Sequence, residues 1–182
     1  MELFKSFNNK KYKIEIFVDP NPQNPREIME NLGVMSCLHS RYELGDKCGR
    51  LTTKDRYIQL PLYLYDHSGL SMSTAPFSCR WDSGIVGSIS VSREKIKSFL
   101  GTKRLTQAIK TKVLDILKKE VEIYSLYLQG RVYGVVVTDL DNTDNSESCW
   151  GFYGEDFENN GLKEFVDEVT KNDVLLKKNK IA

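Results

Sequence analysis

No stretch of the 182-residue chain approaches the roughly 20 apolar residues that a helix needs to cross a bilayer. Its first residues, Met1-Glu2-Leu3-Phe4-Lys5, lack the basic-then-apolar order of a signal peptide, so the expected location is the cytoplasm. The four cysteines, Cys37, Cys48, Cys79 and Cys149, form no C-x-x-C pair and are not matched with histidine at zinc-finger spacing. No metal site is expected, and a reducing compartment favours free thiols. Phosphate-cradling loops are missing too. Gly84-x-x-Gly87 is not followed by Gly-Lys-Ser/Thr and opens a strand, which excludes a nucleotide site of that kind and leaves no cofactor to expect. With a net charge of +1 the chain is neither an overall polyanion nor an overall polycation, and it has no internal repeat, linker or low-complexity segment.

What is present is ordinary globular composition, 40% hydrophobic and 28% charged, in a length that suits one domain over residues 1–182. Tyr12 to Val18 reads as a first strand, stopped by Asp19-Pro20-Asn21-Pro22. Asn24-Pro25-Arg26-Glu27 resembles a helix start, with Asn as cap and Pro at the first position, and Asn31 and Gly33 end a helix of about two turns. Val34 to His39 suits a second strand, and polar Arg41 to Lys54 a loop. In Tyr57 to Tyr65, a run of strand formers, Pro61 argues for an edge, a break or a bulge. Asp66 to Ser83 shows no clear period, and Gly84 to Val91 returns to strand character. Ser92 opens a short helix closed near Gly101. From Lys103 to Gln129, Leu105, Ile109, Val113, Ile116, Leu117, Val121, Tyr124 and Leu128 recur at spacings of three and four, forming one apolar stripe of a long helix with Gly130 as its C-terminal cap. Val132 to Leu140 and Cys149 to Tyr153 read as strands of a hairpin around the polar turn 141–146. Leu162, Phe165, Val166 and Val169 mark a last helix, and Lys177 to Ala182 a frayed end. The expected class is α+β: an antiparallel or mixed β-sheet with one long amphipathic helix and shorter helices packed on one face.

Charge is unevenly distributed. Arg93 to Lys119 holds nine basic residues against Glu94 and Asp115, while Asp139 to Glu168 holds ten acids against Lys163. Either stretch is compatible with a solvated face. As functional surfaces, Lys110, Lys112, Lys118 and Lys119 could meet nucleic-acid phosphates, and Asp141, Asp144, Glu147, Glu155, Asp156 and Glu158 could meet a basic groove. The acidic turn does not fit a calcium loop, which needs ligands at alternate positions, a Gly at the sixth and a Glu at the twelfth.

Catalytic constellations are thin. Cys37 and His39 alternate on a strand and would face one side, a conceivable thiol–imidazole pair for an enzyme, although a packed position explains them as well. His67, in Asp66-His67-Ser68-Gly69, lacks a second histidine or carboxylate cluster at fixed spacing that would mark a general base. No catalytic residue is assigned. Two aromatic patches remain, Pro76 to Gly84 around Trp81 and Ser148 to Asp156 around Trp150. Each tryptophan can plug an end of a sheet or anchor a partner interface, and both are interface candidates.

Phe77-Ser-Cys-Arg-Trp81-Asp-Ser-Gly84-x-x-Gly87, the Glu120-Val-Glu122-x-Tyr124-x-x-Tyr127-Leu-x-Gly130-x-Val-Tyr133-Gly134 segment and Ser148-Cys-Trp-Gly-Phe-Tyr-Gly154 together resemble a family of small proteins of phages and other mobile elements in gut bacteria, a family that includes a type II-A anti-CRISPR. The resemblance covers about residues 60 to 160. It implies a stoichiometric inhibitor that binds a type II CRISPR nuclease, alone or with its guide RNA, inside the bacterial host and blocks target DNA binding or cleavage. An acidic hairpin could then occupy the nuclease's positive channel, whereas the near-neutral total departs from mimicry of DNA over a whole surface. Direct nucleic-acid contact and a homodimer stay open, and a nucleic-acid-binding accessory protein using the 93–119 surface is the alternative.

Overall fold

The structure, a computed structural model, describes residues 1–47, 52 and 54–179, with the side chains of 172–179 left undescribed. Cys48 and most of the 48–53 segment of the expected loop lie outside the described residues, as do 180–182 of the expected frayed end; the last helix itself runs to Asn179. The class is α+β with antiparallel pairing and one long helix, as the sequence leads one to expect, and the eight strands are shared between two four-stranded sheets. The chain divides into two compact units, Met1–Pro22 with Gly130–Ala182, and Gln23–Gln129. No helix among the described residues is long and apolar enough to cross a membrane.

The first unit contains β1 (Leu3–Asn8), β2 (Tyr12–Val18) and, from the C-terminal part of the chain, two further strands and a helix. The second unit opens with α1 (Pro25–Ile28), one turn where the sequence suggests two. Asn24 caps it, its Oδ1 accepting from Arg26 N at 3.0 Å. β3 (Val34–Cys37), β4 (Ile58–Asp66), β5 (Leu70–Ser73) and β6 (Ser83–Val91) form an antiparallel sheet in the order β3-β6-β4-β5. Pro61 lies on a strand with neighbours on both sides. It is tolerated because β5 reaches only Tyr63 to Asp66, so the side that lacks an N–H at Pro61 faces no partner. The β4–β6 register shifts between Leu62 and Tyr63, one residue on, as a bulge beside a proline should.

Ser92 caps α2 (Arg93–Leu100), and Gly101, at φ +61°, closes it in the left-handed region that favours glycine. The long helix α3 (Gln107–Leu128) starts later than its sequence pattern suggests because Thr106 takes the cap, its Oγ1 accepting from Ile109 N at 3.3 Å. Val113, Leu117, Val121 and Tyr124 on its apolar stripe are buried in one cluster with Met35, Leu62, Leu64, Met72, Ile89 and Val91 of the sheet. Each such side chain contributes about 1.5–3 kcal/mol.

In the first unit β7 (Val132–Asp139) and β8 (Asn142–Tyr153) complete a sheet of order β1-β2-β7-β8. The hairpin turn is tighter than the polar run suggests, and β8 begins at Asn142. Alternation sets the faces: Tyr12, Ile16, Tyr133, Val135 and Val137 are buried with Phe152 and with Leu162 of α4 (Leu162–Asn179), while Phe165, Val166 and Val169 pack against them. Two strands carry no clear sequence signal: β1, exposed along its whole length, and β5, inside the stretch that shows no period.

Candidate functional site

A polar hub organises the second unit. Arg26, at the first turn of α1, has a side chain only 2% exposed and uses all five of its N–H donors. Nε and Nη2 meet the Asp46 carboxylate at 2.7 and 3.0 Å, Nη1 meets Asn31 Oδ1 and Glu120 Oε2 at 2.8 Å each, and Nη2 meets Gly33 O at 2.7 Å. Burial alone would lower the guanidinium pKa, but the hydrogen bonds and charges of Asp46 and Glu120 outweigh it and the pKa is raised. Both carboxylates also serve backbone donors: Glu120 Oε1 accepts from Leu32 N at 2.7 Å, and Asp46 Oδ2 from Met35 N at 2.8 Å. A groove of about 400 Å³ beside the hub is lined by Arg26, Asp46, Ser92 and Lys95, but Arg26 has no donor left to offer a ligand there. Nothing local in the sequence points to this hub, whose members lie 20 and 94 residues apart.

Both histidines and Trp81 belong to loops next to the strand ends of the same unit. Trp81 is 96% exposed, so it does not plug the sheet. The loop that carries it is nonetheless tied down. Asp82 Oδ2 accepts from the Cys79 thiol at 3.3 Å and lies 3.3 Å from His67 Nδ1. Asp82 O accepts from Asp66 N at 2.8 Å, and Ser83 Oγ donates to Cys79 O. Asp66 in turn pairs with Arg41 at 2.9 Å and receives the Tyr42 hydroxyl at 3.3 Å. Tyr65 stands 5.4 Å, ring centroid to centroid, from Phe77. The result is a braced loop presenting a bare indole, with Arg80 exposed beside it. Ile85 and Leu38 are exposed at 67% and 87%, and Leu38 N bonds to Val86 O at 2.8 Å, which sets Leu38 opposite Val86.

The thiol–imidazole pair does not assemble on a strand, because β3 ends at Cys37. The His39 ring stacks on Tyr42 at 5.0 Å, and its Nδ1 accepts from Arg41 N. Cys37 packs against the core, and burial, with the charge of Asp46 adding to it, pushes its thiol up to about 11. It is therefore protonated at neutral pH. Cys37, Cys79 and Cys149 are free thiols. Among the described residues no group of three His, Cys, Asp or Glu side chains could hold a metal ion.

The six acidic candidates do not share one surface. Asp141 and Asp144 are exposed at the tip of the β7–β8 hairpin and Glu147 is exposed on the ladder opposite Val137, while Glu155, Asp156 and Glu158 follow the other end of β8. The β7 segment paired between them, Thr138 to Val132, spans about 20 Å, at roughly 3.3 Å per residue. The second group is also occupied within the fold. Glu155 receives the Tyr133 hydroxyl at 2.9 Å and Arg131 Nε at 3.2 Å; the tyrosine bond, with the arginine charge, holds its carboxyl below the ordinary range. Asp156 accepts from Asn159 Nδ2, and Glu158 pairs with Lys163.

Trp150, on β8, is 37% exposed and lies over Gly134 of β7: a Cβ at Gly134 would come within 2.0 Å of the indole. It covers a strand neighbour and is only partly available as an anchor. On the basic side, Lys110 is half-buried, its ammonium 5.5 Å from the Tyr57 ring, which Arg93 also covers at 4.1 Å. Lys112, Lys118 and Lys119 are exposed. Asp115 and Glu122 fall on the same face as Lys112 and Lys119, at helical spacings of three and four, and break the stripe. No protein-family model, curated protein or solved structure matches the chain.

Proposed function

We propose that this chain acts by occupying the surface of a macromolecular partner, and that the partner is a type II CRISPR nuclease, alone or with its guide RNA, whose binding or cleavage of target DNA it blocks. The choice of nuclease rests on the likeness of the 77–87, 120–134 and 148–154 segments to the mobile-element family. Action through a surface is carried by one observation: Trp81 stands 96% exposed on a loop braced by Asp82. An indole in water loses the benefit of burial, and one held in place by side-chain and backbone bonds is pre-organised for a pocket on another molecule. Tryptophan is among the residues that dominate interface energies. Arg80 adjoins Trp81 in the chain, and Ile85 and Leu38 are further exposed side chains of the same unit.

The acidic hairpin tip of the first unit is a second contact element. Asp141, Asp144 and Glu147 suit a positively charged nucleic-acid channel, and their contribution should fall with ionic strength. In the second reading, nucleic-acid binding, exposed Lys112, Lys118 and Lys119 favour phosphate contact, and the interleaved acids weigh against it.

A pull-down of the purified protein with nuclease, with and without guide RNA, tests the proposal. Trp81→Ala should weaken capture by about thirtyfold, the size of a 2 kcal/mol hot spot. Asp144→Asn with Glu147→Gln should reduce binding mainly at low salt. Absence of nuclease binding in either form would overturn the assignment. A salt-sensitive DNA or RNA shift abolished by reversing Lys112, Lys118 and Lys119 would favour the second reading.

A further inference from the structure

Of the four strand edges that end the two sheets, three carry a device against strand addition. On β3, the loop after it occupies the edge: Asp46 N donates to Met35 O at 2.9 Å, Met35 N donates to Asp46 Oδ2, and Ser36 bridges Gly45. On β5, Met72 N donates to Ser125 Oγ of α3 at 2.9 Å, a buried bond that closes the middle of a four-residue strand. On β8, Asp144 and Glu147 set like charges along the edge.

β1 has only a lysine and a register shift at its start. All six of its residues are exposed, it contains no proline, and Lys5 is its one charge. Phe7 is 52% and Leu3 50% exposed, while Phe4, at 36%, packs its ring 4.7 Å from that of Tyr133. Among the described residues, no segment bonds β1 from its outer side. Its register with β2 shifts between Leu3 and Lys5, but runs unbroken from Lys5 to Asn8.

We propose that β1 pairs with β1 of a second copy of this chain, antiparallel about a two-fold axis through Ser6, joining two four-stranded sheets into one of eight. Such an axis is isologous and closes on itself, which an apolar edge meeting a different edge would not do. The side-chain pattern selects the copy and the register. An axis at Lys5 would set two lysines directly opposite each other, and an axis at Phe7 would carry the pairing out of the strand. The Ser6 axis keeps it within Phe4 to Asn8 and sets Lys5 across from Phe7 of the second copy, a cation beside an aromatic ring. On β8 the charges of Asp144 and Glu147 oppose the same self-pairing over the first half of the strand. A short strand pair buries less than the roughly 1,200 Å² of a standard stable interface, so the dimer is a weak, concentration-dependent one.

Sedimentation equilibrium from about 1 to 500 µM tests this, the range in which an interface below standard size should populate. The mass should rise with concentration from 20.9 kDa toward twice that value, and no further. Phe7→Lys, which places lysines of the two copies side by side, should move the midpoint upward at least tenfold with the far-ultraviolet circular dichroism unchanged. Ser6→Pro, which removes the donor at the axis, should do the same. A one-copy mass at every concentration would overturn the proposal. So would a dimer that Phe7→Lys leaves intact, or growth past two copies.

Discussion

Replacing Arg26 by methionine removes five hydrogen bonds and the positive charge between Asp46 and Glu120 while keeping most of the side-chain volume. The two carboxylates are themselves mostly buried, with side-chain exposures of 18% and 11%. Loss of one partner from a buried ion pair costs about 3–5 kcal/mol, because the remaining charge keeps its desolvation penalty. Here two carboxylates are left, but both retain backbone donors, at Met35 and at Leu32 with Gly33, and these offset part of the penalty. The expected loss is therefore about 3–4 kcal/mol, a large share of a domain stability of roughly 5–15 kcal/mol. Glu120→Gln should cost less, about 1–3 kcal/mol: its carbonyl can still accept from Leu32 N, but its amide turns a donor toward Arg26. Replacing all three charged groups by apolar residues should not restore stability, as it can for a bare ion pair, since Leu32, Gly33 and Met35 would lose their acceptors. Urea unfolding followed by circular dichroism, with the slope checked for constancy, measures each value. A loss below 1 kcal/mol for Arg26→Met, or a triple apolar variant as stable as the parent, would refute the reasoning.

Cys37 should react with iodoacetamide at pH 8 about a hundredfold more slowly than a thiol of ordinary pKa, from thiolate fraction alone, which peptide mapping of alkylated protein can read. Because its folded pKa lies above the unfolded value, the native state holds the extra proton between about pH 9 and 11, so stability contributed by this group falls as pH rises through that window; Cys37→Ala should flatten the decline seen by urea titration. Gly134→Ala drives a methyl into the Trp150 ring and should cost about 1–3 kcal/mol by overpacking, with a red shift of Trp150 fluorescence as the indole is displaced. Trp81→Phe should leave stability within about 0.5 kcal/mol and shift the emission maximum of the whole protein to the blue, because the remaining indole is the more buried of the two. Asp82→Ala should weaken partner binding less than Trp81→Ala does, with Trp81 no less exposed, since it loosens the loop without removing the anchor; calorimetric titration of both variants compares them.

The elements that bury a long face were legible in the sequence, and those with short or exposed faces were not. The stripe from Ile109 to Leu128 and the apolar run from Val132 marked α3 and β7, because each side chain there answers to a core. Ser92 and Gly101 bracketed α2 through capping chemistry that is local by nature. β1 carries no legible signal because it pairs through its backbone and only Phe4 packs, against Tyr133 and Phe157, so no period is imposed on it. β5 has only Leu70 and Met72 to alternate, too few to stand out in a loop, although they follow a Ser68-Gly69 turn with positive φ at both residues. At the candidate site, the patch around Trp81 was visible by composition, but whether its indole packs or protrudes depends on Asp82, His67 and Asp66, and His67 and Asp66 come from a different hairpin. The grouping of six acids failed for a simpler reason: nearness along the chain does not survive an extended strand between them.

Stability and the recognition proposed at Trp81 draw on separate residues in the second unit. Arg26, Asp46 and Glu120 hold α1, the loop after β3 and α3 together, and none of their donors or buried acceptors is left for a partner. Trp81, Leu38 and Ile85 touch water and contribute little to folding. The link between the two sets is Asp82, whose side chain, 36% exposed, fixes the loop that holds the indole. The proposed binding role is compatible with this arrangement. Its work is done by apolar area that must stay uncovered until a partner arrives, so the fold has to be secured by groups that the partner never meets. Substitutions at the hub should therefore change affinity only through the fraction folded, while substitutions at Trp81 change it in a fully folded protein.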